Sequence, residues 1–159
     1  MVWRNLEQIR LTAKELGNLA FSLVKIPFSL HVTVAYGPSM LPTIGPMATF
    51  LLAERNSPRF GKVERGDIVV VQSPENPQKF IVKRLLGLQG DSVTFLVDPK
   101  NSNKRKTVVV PKGHVWLGGD NIYNSRDSRY FGPVPCDLLH ARVFWRVWPL
   151  GDFGPMGKN

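Results

Sequence analysis

Lys79-Phe80-Ile81-Val82-Lys83-Arg84-Leu85-Leu86 alternates with the period of two that belongs to a β-strand. That period puts Lys83 on the same face as Ile81 and Leu85, and turns Arg84 to the opposite face. Working outward, residues 48–53 and 67–72 before this stretch, and 92–97, 107–110, 114–117 and 141–147 after it, are short runs rich in β-branched residues. Each run is punctuated by Gly, Pro, Asn or Asp. Seven such runs at this spacing predict a compact, mainly β module rather than βαβ units. Between two of the runs, 98–106 holds Pro99, Asn101, Asn103 and the basic residues Lys100, Lys104, Arg105 and Lys106, the composition of a solvated hairpin loop.

The 159 residues suffice for one domain with its own core, and 43% hydrophobic against 21% charged residues excludes a disordered tail. Lys and Arg outnumber Asp and Glu by 21 to 12, a formal charge of +9 that favours acidic partners: nucleic acid, anionic lipid or an acidic protein surface. With Cys136 as the single cysteine, neither an internal disulfide nor a cysteine-based metal site can form. His31, His114 and His140 are far apart in sequence and lack metal-ligand spacing, so no metal is expected.

Ahead of the β module, Leu6, Ile9, Leu16, Leu19 and Leu23, interleaved with Arg4, Arg10 and Lys14, predict an amphipathic helix. Residues 16–36 are mostly apolar and about as long as a bilayer span requires. Lys25, Pro27 and His31 interrupt that stretch, which leaves a targeting helix, an interfacial anchor, a strained span and a packing helix open. The expected organisation is an N-terminal membrane-associated or targeting segment at 1–36, a β domain at 37–150 and a tail at 151–159. Ser22-Leu23-Val24-Lys25 spells S-x-x-K, but neither S-D-N nor K-T-G accompanies it, so it is set aside.

Three segments carry candidate chemistry. In Gly37-Pro38-Ser39-Met40-Leu41-Pro42-Thr43, two prolines stiffen the backbone around a serine hydroxyl. On the strand already described, Lys83 stands among apolar neighbours, where desolvation lowers an ammonium pKa and prepares a neutral amine to accept a proton. Residues 118–132 crowd short polar side chains behind Val115-Trp116-Leu117, which marks an exposed turn or an organised hydrogen-bond network. Within it, Asp127 and Arg129 are spaced to form a charge-assisted brace.

Taken in order, Ser39-Met40-x-Pro42-Thr43, Arg65-Gly66-Asp67-Ile68-Val69-Val70, Lys83-Arg84 followed by Gly90-Asp91, and Gly119-Asp120-Asn121-x2-Asn124-Ser125-x-Asp127-Ser128-Arg129-x2-Gly132 resemble the type I signal peptidase family. These are membrane-bound serine proteases. The ending at 144–154 further resembles the mitochondrial branch of that family, the inner membrane protease, most of all its first subunit in plants. The resemblance implies a domain of coiled antiparallel sheets with an N-terminal membrane-associated helix. It makes Ser39 the nucleophile and Lys83 its general base. It also makes Ser125 the hydroxyl that orients the lysine amine, gives Asp127, Arg129 and Asp120 supporting roles, and makes the Ser39 backbone N–H an oxyanion donor.

The implied partners are preprotein substrates, a second inner membrane protease subunit in a heterodimer and inner membrane lipid, with no cofactor and no nucleic acid. The implied location is the mitochondrial inner membrane, with the catalytic domain facing the intermembrane space. Three features depart from the family pattern. The chain before Gly37 is short and interrupted compared with the hydrophobic anchor of relatives. Gly45-Pro46-Met47-Ala48-Thr49 replaces a Gly-Asp turn, and Gly37 occupies a position where some members carry a second hydroxyl. The alternatives are an impaired variant acting as a partner subunit, or a basic β module that binds nucleic acid or lipid.

Overall fold

The computed structural model describes residues 30–99 and 104–157. Ten strands are present in that range: β1 (Leu30–Ala35), β2 (Thr49–Glu54), β3 (Ile68–Gln72), β4 (Phe80–Gly87), β5 (Ser92–Leu96), β6 (Arg105–Val109), β7 (His114–Gly118), β8 (Val134–Pro135), β9 (Leu139–Trp148) and β10 (Gly154–Pro155). The main sheet runs β1-β2-β9-β3-β4-β7-β8, with β10 also paired to β9, and β5-β6 forms a separate hairpin. The pairings given in register, those of β2 and β3 with β9, β3 with β4 and β4 with β7 among them, are antiparallel.

The centre of the sheet explains its curl. Ile68 and Val70 of β3 pack in one core cluster with Met40, Ile44, Leu51 and Val143, whereas Val69 and Val71 pack in a second with Leu85, Val115, Leu117 and Val134. A strand buried on both faces reads as an unbroken apolar run, which is why Ile68-Val69-Val70-Val71 carries no polar alternation. To enclose both clusters, one sheet must bend. Register shifts lie at Phe50/Leu51 and Leu52/Ala53 opposite β9, at Val70/Val71 between β3 and β9, and at Leu85/Gly87 between β4 and β7. Bulges of this kind sharpen local twist and let an antiparallel sheet coil. The β5-β6 hairpin is anchored by Phe95, whose ring lies 4.9 Å from that of Trp116 on β7.

Three assignments differ from the sequence analysis. Arg105 and Lys106, placed there in the hairpin loop, open β6. Residues 30–35, grouped there with the apolar N-terminal segment, form β1, with Leu30, Val32 and Val34 exposed and Ala35 buried. The alternation was hidden because the outward side chains are themselves apolar. In the tail, Gly154 pairs with Arg146 and Pro155 with Trp145. The helix expected over 2–24, the span-length stretch up to residue 29 and the S-x-x-K at 22–25 lie outside the described residues. Among the described residues, no helix is long and apolar enough to cross a membrane.

Candidate active site

Ser39 sits in a one-turn 3-10 helix, Pro38–Met40, in the connection from β1 to β2. Gly37 opens the turn at φ +101°, a left-handed conformation that a side chain at this position would strain. Its N–H donates to the Pro46 carbonyl oxygen at 2.9 Å, so the altered turn at 45–49 is tied to the serine turn. Met40 is buried in the first core cluster, and the Ile44 N–H donates to its carbonyl oxygen at 2.8 Å. From the polar loop, the Asn121 N–H donates to the Ser39 carbonyl oxygen at 3.1 Å and Asn121 Nδ2 to that of Pro38 at 3.1 Å. The turn is thus held by its backbone and by a packed neighbour, which leaves the serine hydroxyl free to take another partner.

That partner is Lys83. On β4, Lys83 pairs with Val69 and Arg84 with Ile68, which places the two cations on opposite faces, as the period of two requires. Lys83 is only 4% exposed, and its Nζ donates to Ser39 Oγ at 2.8 Å. Burial pushes the lysine pKa from 10.5 down to about 8; the Asp127 carboxylate opposes that fall, the Arg129 guanidinium adds to it, and Asp120 opposes it. At pH 7, about one such lysine in ten carries a neutral amine, a fraction that grows as the pH approaches 8.

The polar loop supplies the rest. Asp127 is fully buried and accepts from the Gly119 N–H at 3.0 Å and from Arg129 Nε and Nη2, both at 2.8 Å. It also caps the short helix Ser128–Phe131 by accepting from the Arg129 N–H. Although burial favours protonation, these donors hold the Asp127 carboxyl below its usual range. Arg129 then closes the loop, donating through Nη1 to the Ile122 carbonyl oxygen at 2.6 Å and through Nη2 to that of Ser125 at 3.3 Å. Asp120 accepts from Arg84 Nε at 2.7 Å and Nη2 at 2.6 Å, and from the Thr43 hydroxyl. Through Asp120, β4 is therefore linked to the segment that follows Ser39.

Arg84 and Thr43 were not singled out from sequence. Arg84 is 4% exposed and also donates to the Gly66 carbonyl oxygen at 2.7 Å. The signal available was a charged residue on the inward face of a strand facing an acidic loop. Ser125 is buried against Gly119, and its hydroxyl makes no well-formed hydrogen bond, to Lys83 or to any other described residue. It still lies close enough to Asp127 to help hold that carboxyl ionised. The structure therefore brings Ser39 and Lys83 into contact and braces Asp120, Asp127 and Arg129 around them, without joining Ser125 to the lysine amine. The histidines are elsewhere: His31 and His140 meet edge to face at 5.7 Å, and His140 packs on Phe80.

A groove of about 410 Å³ opens beside the pair, walled by Val34, Tyr36, Ile44, Phe80 and Val82 together with Ser39 and Lys83. On the β3 side, the Leu85 N–H donates to the Asp67 carbonyl oxygen and the Lys79 carbonyl oxygen accepts from the Ser73 N–H, so by alternation Phe80 and Val82 turn their main-chain groups to the other edge. There, β7 pairs with β4 only from Arg84 onward. The strand edge leading to Lys83 has no paired strand among the described residues.

The sequence matches the family model described as signal peptidase, peptidase S26, over residues 12–99 and 96–148, ranges that include Ser39, Lys83 and the whole polar loop. The chain belongs to this peptidase family. It is 54% identical to the mitochondrial ATP-independent inner membrane protease subunit 1b of Arabidopsis thaliana over 145 residues, 86% of each chain. It is 46% identical to the mitochondrial inner membrane protease subunit 1 of Mus musculus over 123 residues, 77% of this chain and 72% of the relative. A crystal structure of a signal peptidase I from Enterococcus faecalis V583 has 29% identity and a TM-score of 0.44, covering 51% of this chain and 96% of that one.

Two substitutions report on the loop. A Cβ added at Gly119 would stand 2.1 Å from Ser125 Oγ and 2.5 Å from the Ser39 carbonyl oxygen. Gly119→Ala is therefore expected to displace both segments and lower kcat about 100-fold, measured on purified protein whose circular dichroism matches wild type. Asp127→Asn leaves the Arg129 guanidinium without its charge partner in a buried place. An unfolding free energy lower by about 3 kcal/mol at pH 7 is expected from urea denaturation.

Proposed function

We propose that this chain is a membrane-associated serine endopeptidase that removes targeting segments from preproteins at the mitochondrial inner membrane, its catalytic domain facing the intermembrane space. The observation that carries the reading is the 2.8 Å contact between Ser39 Oγ and the buried Nζ of Lys83. In the proposed reaction, the neutral Lys83 amine removes the Ser39 proton as Oγ attacks the scissile carbonyl carbon. The Ser39 backbone N–H stabilises the oxyanion. As the tetrahedral intermediate collapses, the Lys83 ammonium returns its proton to the departing amine, leaving an acyl ester on Ser39. Water, deprotonated by Lys83, then attacks the ester, releases the carboxylate product and restores the serine. Asp127, Arg129 and Asp120 hold the surrounding segments during these transfers, with Ser125 packed beside Gly119 in the same loop.

The substrate lies extended along the open edge of β4, where main-chain hydrogen bonding tolerates varied sequence and the groove selects side chains near the cut. A membrane location is supported by exposed apolar side chains on three neighbouring strands, Val32 and Val34 on β1, Phe50 on β2 and Trp148 on β9. The relatives named as subunits 1 and 2 of the mitochondrial inner membrane protease support a second subunit as partner.

The test is cleavage of a panel of mitochondrial preproteins by the purified full chain in detergent, alone and with the candidate second subunit. Ser39→Ala serves as the control. Cleavage that depends on Ser39 supports the reading. A folded wild-type chain that cuts nothing under either condition would shift the assignment to an impaired partner subunit.

A further inference from the structure

Arg126 stands between buried Ser125 and buried Asp127, yet its own side chain turns outward. Its guanidinium forks onto Glu75, Nε donating to Oε2 at 2.6 Å and Nη2 to Oε1 at 2.5 Å. The same guanidinium lies over the Tyr130 ring, 5.6 Å from its centroid. Glu75 belongs to the β3-β4 turn, a stiff segment in which the Ser73 N–H donates to the Lys79 carbonyl oxygen at 2.8 Å and the Lys79 N–H to that of Asn76 at 2.9 Å. Gln72 Nε2 closes the turn further on the Pro77 carbonyl oxygen at 2.7 Å. From Glu75 the chain runs straight into β4 and Lys83.

We propose that the Arg126–Glu75 fork is a clasp that positions Ser125 and Asp127 against the strand carrying Lys83. Arg129 binds the polar loop to itself through the Ile122 and Ser125 carbonyl oxygens, whereas the Arg126 fork reaches out of the loop to the turn that starts β4. A bidentate guanidinium–carboxylate pair fixes distance and orientation together, which a single lysine contact would not. Because both partners are largely exposed, the clasp adds little to global stability, and its effect falls on local geometry. The groups around the Lys83 amine are Asp127, Arg129, Asp120 and Ser39, and the loop brings the first two. Arg126 and Glu75 touch no reacting atom; they are positioning residues.

The inference rests on the Ser39–Lys83 reading, and its test separates the two. In the full chain, with the preprotein cut fastest by wild type, Arg126→Ala and Glu75→Ala are each expected to lower kcat about ten-fold with KM unchanged within about two-fold. The ascending limb of the pH–rate profile, near pH 8 in wild type, is expected to shift as Asp127 and Arg129 move relative to the amine. Unfolding midpoints stay at the wild-type value. The exchange Glu75→Arg with Arg126→Glu re-forms a pair and is expected to recover most of the lost kcat. Unchanged kcat and pH profile in both single variants, a change in KM alone, or no recovery in the exchange would overturn the clasp. Absence of any Ser39-dependent cleavage by wild type would overturn the dyad reading and the clasp with it.

Discussion

Ser39→Ala is expected to lower kcat by about 10⁴- to 10⁶-fold, the scale on which hydrolases that form an acyl-enzyme lose activity when the nucleophile is removed. KM should stay within about two-fold of wild type, because the groove and the open edge of β4 are untouched. The protein should remain folded: the serine turn is held by the Gly37–Pro46 and Asn121–Ser39 main-chain bonds and by buried Met40, none of which uses the hydroxyl. The one partner lost is the acceptor for Lys83 Nζ, worth about 1 kcal/mol. Steady-state kinetics with circular dichroism on the same sample checks both parts. Turnover close to wild type in this variant would remove Ser39 from the reaction.

Lys83→Met is expected to be as inactive as Ser39→Ala while being more stable than wild type at neutral pH. The lysine titrates near 8 in the folded protein against 10.5 unfolded, because burial disfavours the ammonium. Below pH 8 both states hold the proton, and the folded state carries the full desolvation penalty. Between pH 8 and 10.5 the unfolded state binds more protons, so wild-type stability rises with pH through that window. The difference corresponds to about 3 kcal/mol. A methionine of similar shape has no such penalty, so its higher Tm should be fully present at pH 7 and should fade as pH approaches 10.5. Thermal melts of both proteins at pH 7, 9 and 10.5 check the sign. A methionine variant less stable than wild type at pH 7 would mean that the ammonium is well solvated and not poised as a base.

The strands that could be read from sequence are those with one polar or two apolar faces of regular period. β2, β3, β4, β5, β6, β7 and β9 fall within a few residues of the expected runs, because alternation or an unbroken β-branched run marks them. β1 escaped because Val32 and Val34 make its outward face apolar, and six apolar-rich residues after a longer apolar segment give no alternation to find. β8 and β10 are two residues each, too short to carry a period, and exist through pairing with β7 and β9.

At the site, the period of two placed Lys83 with Ile81 and Leu85, and the structure puts Ile81 and Leu85 at the second core cluster. The 44-residue separation of Ser39 from Lys83 could not by itself bring them together; the family resemblance did that. Arg84 and Thr43 stayed hidden because their role appears only when Asp120 is folded between them. Nothing in the sequence around Arg126 points to Glu75, 51 residues away.

The dependence of kcat/KM on pH between 6 and 10, measured on the wild-type chain with a cleaved preprotein, tests the role of Lys83 most sharply. A single ascending limb near pH 8 is the expected result, since that is where the buried amine loses its proton. A limb near pH 6.5 would give the base's role to a histidine, and a flat profile would leave the reaction with no titrating base; either contradicts a Ser39–Lys83 dyad.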